Sequence, residues 1–125
     1  MNTTISTNKA PAAIGPYSQA ILAKNTLYVS GQLPINYENP KVLLEGVIAQ
    51  TNQSLLNILA IVESAGFSKQ DIVKCTVYMK NLSDFSIMNQ EYENFFGLVK
   101  PARVTIEVSK LPKDALIEID AIAVK

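Results

Sequence analysis

Residues 100–125, "KPARVTIEVSKLPKDALIEIDAIAVK", decide how this chain folds. Two apolar, β-branched runs, 103–108 and 115–124, flank the turn-forming segment "SKLPKD", so both read as strands. Side chains alternate along a strand. Arg103, Thr105 and Glu107 therefore share one face of the first run, and Val104, Ile106 and Val108 the other. In the second run Ile117, Ile119, Ala121 and Ala123 make an apolar face. Leu116, Glu118, Asp120, Ile122 and Val124 make a mixed one, too apolar for a freely solvated surface. That pattern predicts association of copies through the open side of a sheet.

Working back from this stretch, "DIVKCTVYM" (71–79) alternates and reads as a third strand. Before it, apolar residues Val47, Ile48, Leu55, Ile58, Leu59 and Val62 recur at helical spacing over 44–65, with Gln50 and Thr51 inside the stripe and Gly66 as the stop. After it, Ser83 or Asp84 can cap a second helix whose apolar face is Phe85, Met88, Tyr92, Phe95 and Phe96, ended by Gly97 and Pro101. "YSQAIL" and "TLYVSG", joined by "AKN", form an early hairpin. Residues 2–16 and "QLPINYENPK" read as polar, turn-rich loops. The order β-β-α-β-α-β-β over residues 1–125 predicts a single α+β domain, one mostly antiparallel sheet with two helices on one face.

Composition narrows the chemistry. The chain has 125 residues, about half of them apolar, and a formal net charge of zero. Zero charge argues against a nucleic-acid grip by counterion release. No apolar run approaches the ~20 residues of a membrane span. The first residues show no signal-peptide core, and a single cysteine, Cys75, fits a reducing cytoplasm. There is no histidine, so acid-base work falls to Asp, Glu, Tyr, Lys, Cys or water, and a metal site would have a poor ligand set.

Several residues could carry chemistry. Arg103 presents a fork suited to a planar carboxylate. A cross-strand ion pair with Glu118 or Asp120 is the commoner use of such residues, available if the two last strands pair through 109–114. Glu118, among isoleucines, would be desolvated and raised in pKa, which suits a base or a water-orienting group; a paired structural charge is the alternative. Ser30-Gly31 ends a strand, as a plain turn or as a place where backbone approaches a ligand. Tyr17 either lids a pocket or packs, Asn89 reads as an exposed helix position, and Cys75 reads as a small buried hydrophobe.

Taken in order, "APAAIGPYSQA", "VSGQLPIN", "NQSLLNILAIVESAG", "DIVKCTVYMKNLSDFSIMNQEYENFF" and "PARVTIEVSKLPKDALIEIDAIAV" resemble the RidA/YjgF family of reactive-intermediate deaminases, from about Thr3 to Lys125. The resemblance implies a chorismate-mutase-like fold and a homotrimer whose sheets close a central barrel, with sites between subunits. It implies cofactor-independent hydrolysis of 2-imino acids such as 2-aminoacrylate and 2-iminobutanoate to 2-keto acids and ammonia. It assigns Arg103 to the substrate carboxylate, Glu118 to the water, and Tyr17, Ser30, Gly31 and Asn89 to the pocket. Two departures stand out. Thr105 occupies a position where many members carry cysteine, lining the pocket chiefly by backbone, and "GLVK" before Pro101 is shorter than usual. A 2-keto-acid-binding regulatory protein is the alternative, and an endoribonuclease or translation inhibitor a weaker one.

Overall fold

The computed structural model describes residues 1–125. Its strands are β1 (Thr3–Ile5), β2 (Ala20–Ala23), β3 (Thr26–Gln32), β4 (Ile72–Met79), β5 (Ala102–Glu107) and β6 (Ile117–Val124). Helices α1 (Val47–Ser64) and α2 (Phe85–Phe96) complete it. The strands form one sheet in the order β1-β2-β3-β6-β4-β5. Every pairing is antiparallel except β4 with β5. This is the expected α+β architecture.

β6 is central, bonded to β3 on one side and β4 on the other. Its predicted alternation holds: Ile117, Ile119, Ala121 and Ala123 are buried, while Glu118, Asp120 and Ile122 are half-exposed. The buried row joins Cys75, Val77 and Met79 of β4, Leu55, Ile58 and Val62 of α1, and Met88, Tyr92 and Phe96 of α2 in one core. No helix covers the opposite face. Tyr28, Val104, Ile106 and Val124 lie exposed there, which is the apolar open side expected from the last strand.

Two expectations change. The segment 2–16 contains a short strand, β1, which pairs antiparallel with β2 at the sheet edge. Three residues are too few to show a period. The second change is larger. β5 and β6 do not pair with each other, because β4 lies between them and pairs with both. The chain runs β4-α2-β5, and a strand-helix-strand crossover returns the second strand parallel to the first. The cross-strand ion pair between Arg103 and Glu118 or Asp120 therefore has no geometry to form.

Buried Gln50 and Asn57 tie α1 to the loop before it, while Thr51, also buried in the stripe, leaves its hydroxyl without a hydrogen-bond partner. Gln50 donates to the Leu44 carbonyl at 2.7 Å and accepts from the Leu116 N–H at 2.8 Å. The Asn57 amide donates to the carbonyls of Leu33 (3.1 Å) and Ile35 (2.9 Å), and its oxygen accepts from Gln53 at 2.8 Å. The Leu33 carbonyl also accepts from the Ile35 N–H at 2.8 Å, so these side chains add to the loop's own backbone bonding and fix it against α1. Gly66 ends α1 with φ 85°, a conformation that costs glycine nothing, and its N–H bonds the Glu63 carbonyl at 3.0 Å. Asn57→Ala is expected to lower unfolding free energy by about 2 kcal/mol, since it removes a partner from the Ile35 carbonyl and from the Gln53 amide. Asn57→Leu should not restore the loss; urea denaturation of both variants checks this.

Candidate active site

The predicted residues fall into two groups on opposite faces of the sheet. Register makes this unambiguous. Arg103 stands opposite Cys75 on β4, and Cys75 points into the helix layer with no exposure. Glu118 stands opposite Tyr78 on the same strand, three residues further on. Alternation turns Tyr78 to the open face, so Arg103 faces the helices and Glu118 faces away from them.

The first group surrounds Arg103. The half-buried guanidinium lies over the ring of Tyr92, 4.7 Å from its centre, and 5.6 Å from that of Phe85. Both rings are on α2. The carboxylates that accept hydrogen bonds near these strands take them elsewhere. Glu107 accepts from the Leu82 N–H at 2.8 Å, and Asp120 from the Thr76 N–H at 3.2 Å and the Tyr78 hydroxyl at 3.0 Å. Arg103 lines a cleft of about 370 Å³ whose walls also include Asn89, Tyr92, Glu93, Phe96, Lys100 and Pro101. Asn89, read from its helix position as exposed, is half-buried and lines this cleft. Gly97 and Val99 of the short segment before Pro101 also line it. Thr105 follows on the same face, its hydroxyl buried without a hydrogen-bond partner.

Beneath Arg103, burial raises the Cys75 thiol to about 11, so it stays protonated at neutral pH. That matches its reading as a small core residue. Burial likewise raises Tyr92, whose hydroxyl sits by Cys75 without satisfactory hydrogen-bond geometry.

The second group surrounds Glu118. The ladder between β3 and β6 slips at Ser30 and Gly31: Val29 opposes Ala121 and Gln32 opposes Ile119. Two residues of β3 therefore face Asp120 alone, which is a β-bulge, a device common beside functional sites. The Ser30 hydroxyl donates to the Ser18 carbonyl at 2.6 Å, and its N–H to the Gln19 carbonyl at 2.9 Å. These bonds hold the Tyr17 loop against the bulge. Tyr17 is itself exposed, its ring packed by Gly15. The Glu118 carboxylate lies directly over Gly31. A Cβ at that position would collide with the carboxylate oxygen and stand 3.0 Å from its carbon. Space, not backbone conformation, is what requires glycine here. Burial first, and the Asp120 charge second, raise Glu118 above the ordinary carboxylate range.

Sequence reasoning did not connect Tyr92 and Phe85 to Arg103. They read as members of an apolar helix face, and the contact exists only because the β4-α2-β5 crossover sets α2 over β5. No cluster of three or more Cys, Asp or Glu side chains is arranged to hold a metal ion, and no helix is long and apolar enough to cross a membrane.

The chain is similar over its length to known proteins. A family model described as Endoribonuclease L-PSP matches residues 7–125. A RutC family protein of Pyrococcus horikoshii is 52% identical over 125 residues, covering 100% of this chain and 99% of that protein. The Escherichia coli K12 protein named 2-iminobutanoate/2-iminopropanoate deaminase is 50% identical over 128 residues, covering 100% and 99%. Among solved structures, the YjgF gene product of E. coli superposes with a TM-score of 0.95 at 49% identity, covering 98% of each chain. E. coli TdcF with bound serine gives 0.95 at 40% identity, again covering 98% of each. The chain belongs to the Endoribonuclease L-PSP family, the RidA/YjgF family of its sequence motifs.

The raised Glu118 has a consequence for stability. Between the ordinary carboxylate pKa and its own raised value, Glu118 holds more proton in the folded than in the unfolded chain. Its contribution to stability therefore falls as pH rises through that window. Glu118→Gln is expected to unfold at a higher temperature than wild type at pH 7, with the difference shrinking on acidification below the ordinary carboxylate range. Calorimetric melts at several pH values measure this. Gly31→Ala is expected to displace the carboxylate while leaving the helical circular dichroism unchanged.

Proposed function

We propose that the protein hydrolyses reactive 2-imino acids, and their enamine forms, to 2-keto acids and ammonia without a cofactor. The observation that carries this reading is Arg103, held against two rings in a cleft where it makes no ion pair with a carboxylate of its own chain, although Glu93 lines the same cleft. The 50% identity to a protein named 2-iminobutanoate/2-iminopropanoate deaminase points to the substrate class.

The chemistry suits a chain without histidine. Arg103 grips the substrate carboxylate through two parallel N–H bonds. That fixes the electrophilic C2 of the iminium. Glu118 orients a water toward C2 and takes a proton from it; its raised pKa makes it a better base than an ordinary surface carboxylate. Glu118 returns that proton to nitrogen; as the C–N bond breaks and ammonia leaves, the intermediate's hydroxyl proton passes back to Glu118 and from it to the departing ammonia, leaving the 2-keto acid. Positioning supplies much of the rate gain, because imines hydrolyse readily once water is held in place.

Arg103 and Glu118 face opposite sides of one sheet, so a site that uses both draws them from two copies of the chain. A homotrimer closed through the apolar sheet face fits this requirement. Arg103 and Asn89 would come from one subunit, and Glu118, Gly31, Ser30 and Tyr17 from its neighbour, with Thr105 lining the pocket beside Arg103. The free, buried Cys75 suits a reducing cytoplasmic setting.

A second reading has one observation in its favour: the TdcF relative binds serine. A regulatory protein that senses small carboxylates would use the same arginine but would not need Glu118. Zero net charge gives no electrostatic support to RNA cleavage.

The coupled assay separates these readings. Threonine dehydratase supplies the imine, and 2-keto acid release is followed with and without this protein. Wild type is expected to accelerate release, and Arg103→Ala to abolish the acceleration while keeping the same sedimentation behaviour. Undiminished rate in Arg103→Ala would sink the assignment. Glu118→Gln should lower kcat at least 100-fold, in the range general-base catalysis contributes, with little change in 2-keto acid affinity. Equal losses in both would make Glu118 structural.

A further inference from the structure

Arg103 reaches its cleft from β5, the outermost strand on that side of the sheet. A long side chain at such a place keeps many rotamers unless something orders it. An ion pair would order it but would occupy the N–H groups needed for a ligand. The two rings of α2 order it without that cost.

Their placement is specific. Phe85 and Tyr92 are seven residues apart, two turns along one face of α2. Tyr92 is 8% exposed and forms the floor, while Phe85, 37% exposed, forms the outer wall. Cys75, directly opposite Arg103 on β4, closes the space below. A guanidinium is planar and weakly hydrated and stacks well on an aromatic face, leaving its edge-on donors free. The Tyr92 hydroxyl has no hydrogen-bond partner, so the ring, not the oxygen, makes the contact with the cation.

We propose that Tyr92, assisted by Phe85, is a positioning residue whose ring holds the Arg103 guanidinium in a fixed plane with its N–H fork open to a carboxylate in the cleft. The inference rests on the reading of Arg103 as the carboxylate grip and assigns the pre-ordering of that grip to helix α2. It also gives the tyrosine hydroxyl no part in binding, which makes the role separable by mutation.

Two measurements test it. The first is the Arg103 Nε–H resonance in proton-nitrogen spectra, identified by its loss in Arg103→Ala. The second is the affinity for 2-oxobutanoate, with 2-oxobutanamide as the carboxylate-free control. Wild type and Tyr92→Phe should show the same ring-shifted Nε–H and the same affinity. Tyr92→Leu should lose the shift and bind 2-oxobutanoate about tenfold more weakly, within the range of a partly desolvated cation–π contact, with the amide unaffected. Combined with Arg103→Ala, Tyr92→Leu should cost nothing further. Phe85→Leu, at a partly exposed position that tolerates change, should show a smaller loss of the same kind and carries the test if Tyr92→Leu fails to fold. Retention of both shift and affinity in a folded leucine variant overturns the proposal, as does a loss in Tyr92→Phe equal to that in Tyr92→Leu. If Arg103→Ala binds 2-oxobutanoate like wild type, the carboxylate reading itself fails and takes the proposal with it. That case is recognisable because the Nε–H shift still depends on Tyr92.

Discussion

β6 is hydrogen-bonded along both edges, to β3 and to β4, and much of the molecule takes its orientation from that strand. A central strand cannot slip by one residue without turning its whole apolar row away from the helices. Ile117, Ile119, Ala121 and Ala123 therefore lock the register. The same lock turns Glu118 and Asp120 to the open side. Asp120 is satisfied there by the Thr76 N–H and the Tyr78 hydroxyl, and so pins β6 to β4. Glu118 has only the bulged backbone of β3 beneath it, with Gly31 leaving room for the carboxylate. Two neighbouring acids on one face thus differ in character: one is spent on the sheet, the other remains available and raised in pKa.

The crossover from β4 through α2 to β5 does for Arg103 what the bulge does for Glu118. It brings a strand to the sheet edge with its charged residue turned toward a helix, and the guanidinium meets the rings of Tyr92 and Phe85 there. A cation kept on aromatic faces retains its directional donors. A carboxylate held in partial desolvation retains basicity. Under the proposed reaction these are the two properties needed, and they are generated on opposite faces by unrelated local devices. The opposite-face geometry is also what ties the proposed activity to association, since the apolar open face carries the acid and the helix side carries the arginine.

Much of this was legible in the residues. The period-2 rows of β6 and β5 and the 3.6-residue stripes of α1 and α2 come from burial on one side, which leaves a mark every second or every third and fourth residue. The family motifs singled out Tyr17, Ser30, Gly31, Asn89, Arg103, Thr105 and Glu118 as candidates, which spacing offered only beside plainer alternatives. The rest was not legible, for reasons that differ. β1 is too short to show a period. Gln50 looks like a flaw in a stripe until the loop carbonyl it bonds is in view. Tyr92 looks like any aromatic core residue.

By itself, then, the amino-acid order determined which segments are helix or strand and which residues share a face, because those follow from local sterics and from the alternation of apolar and polar side chains. Strand adjacency is different. It depends on long-range hydrogen bonding and on which crossover buries the most surface, and neither leaves a local trace. Only the tertiary structure decided that β4 separates β5 from β6. That one fact removes the internal ion pair, sets Arg103 and Glu118 on opposite faces, and lays the Arg103 guanidinium on Tyr92.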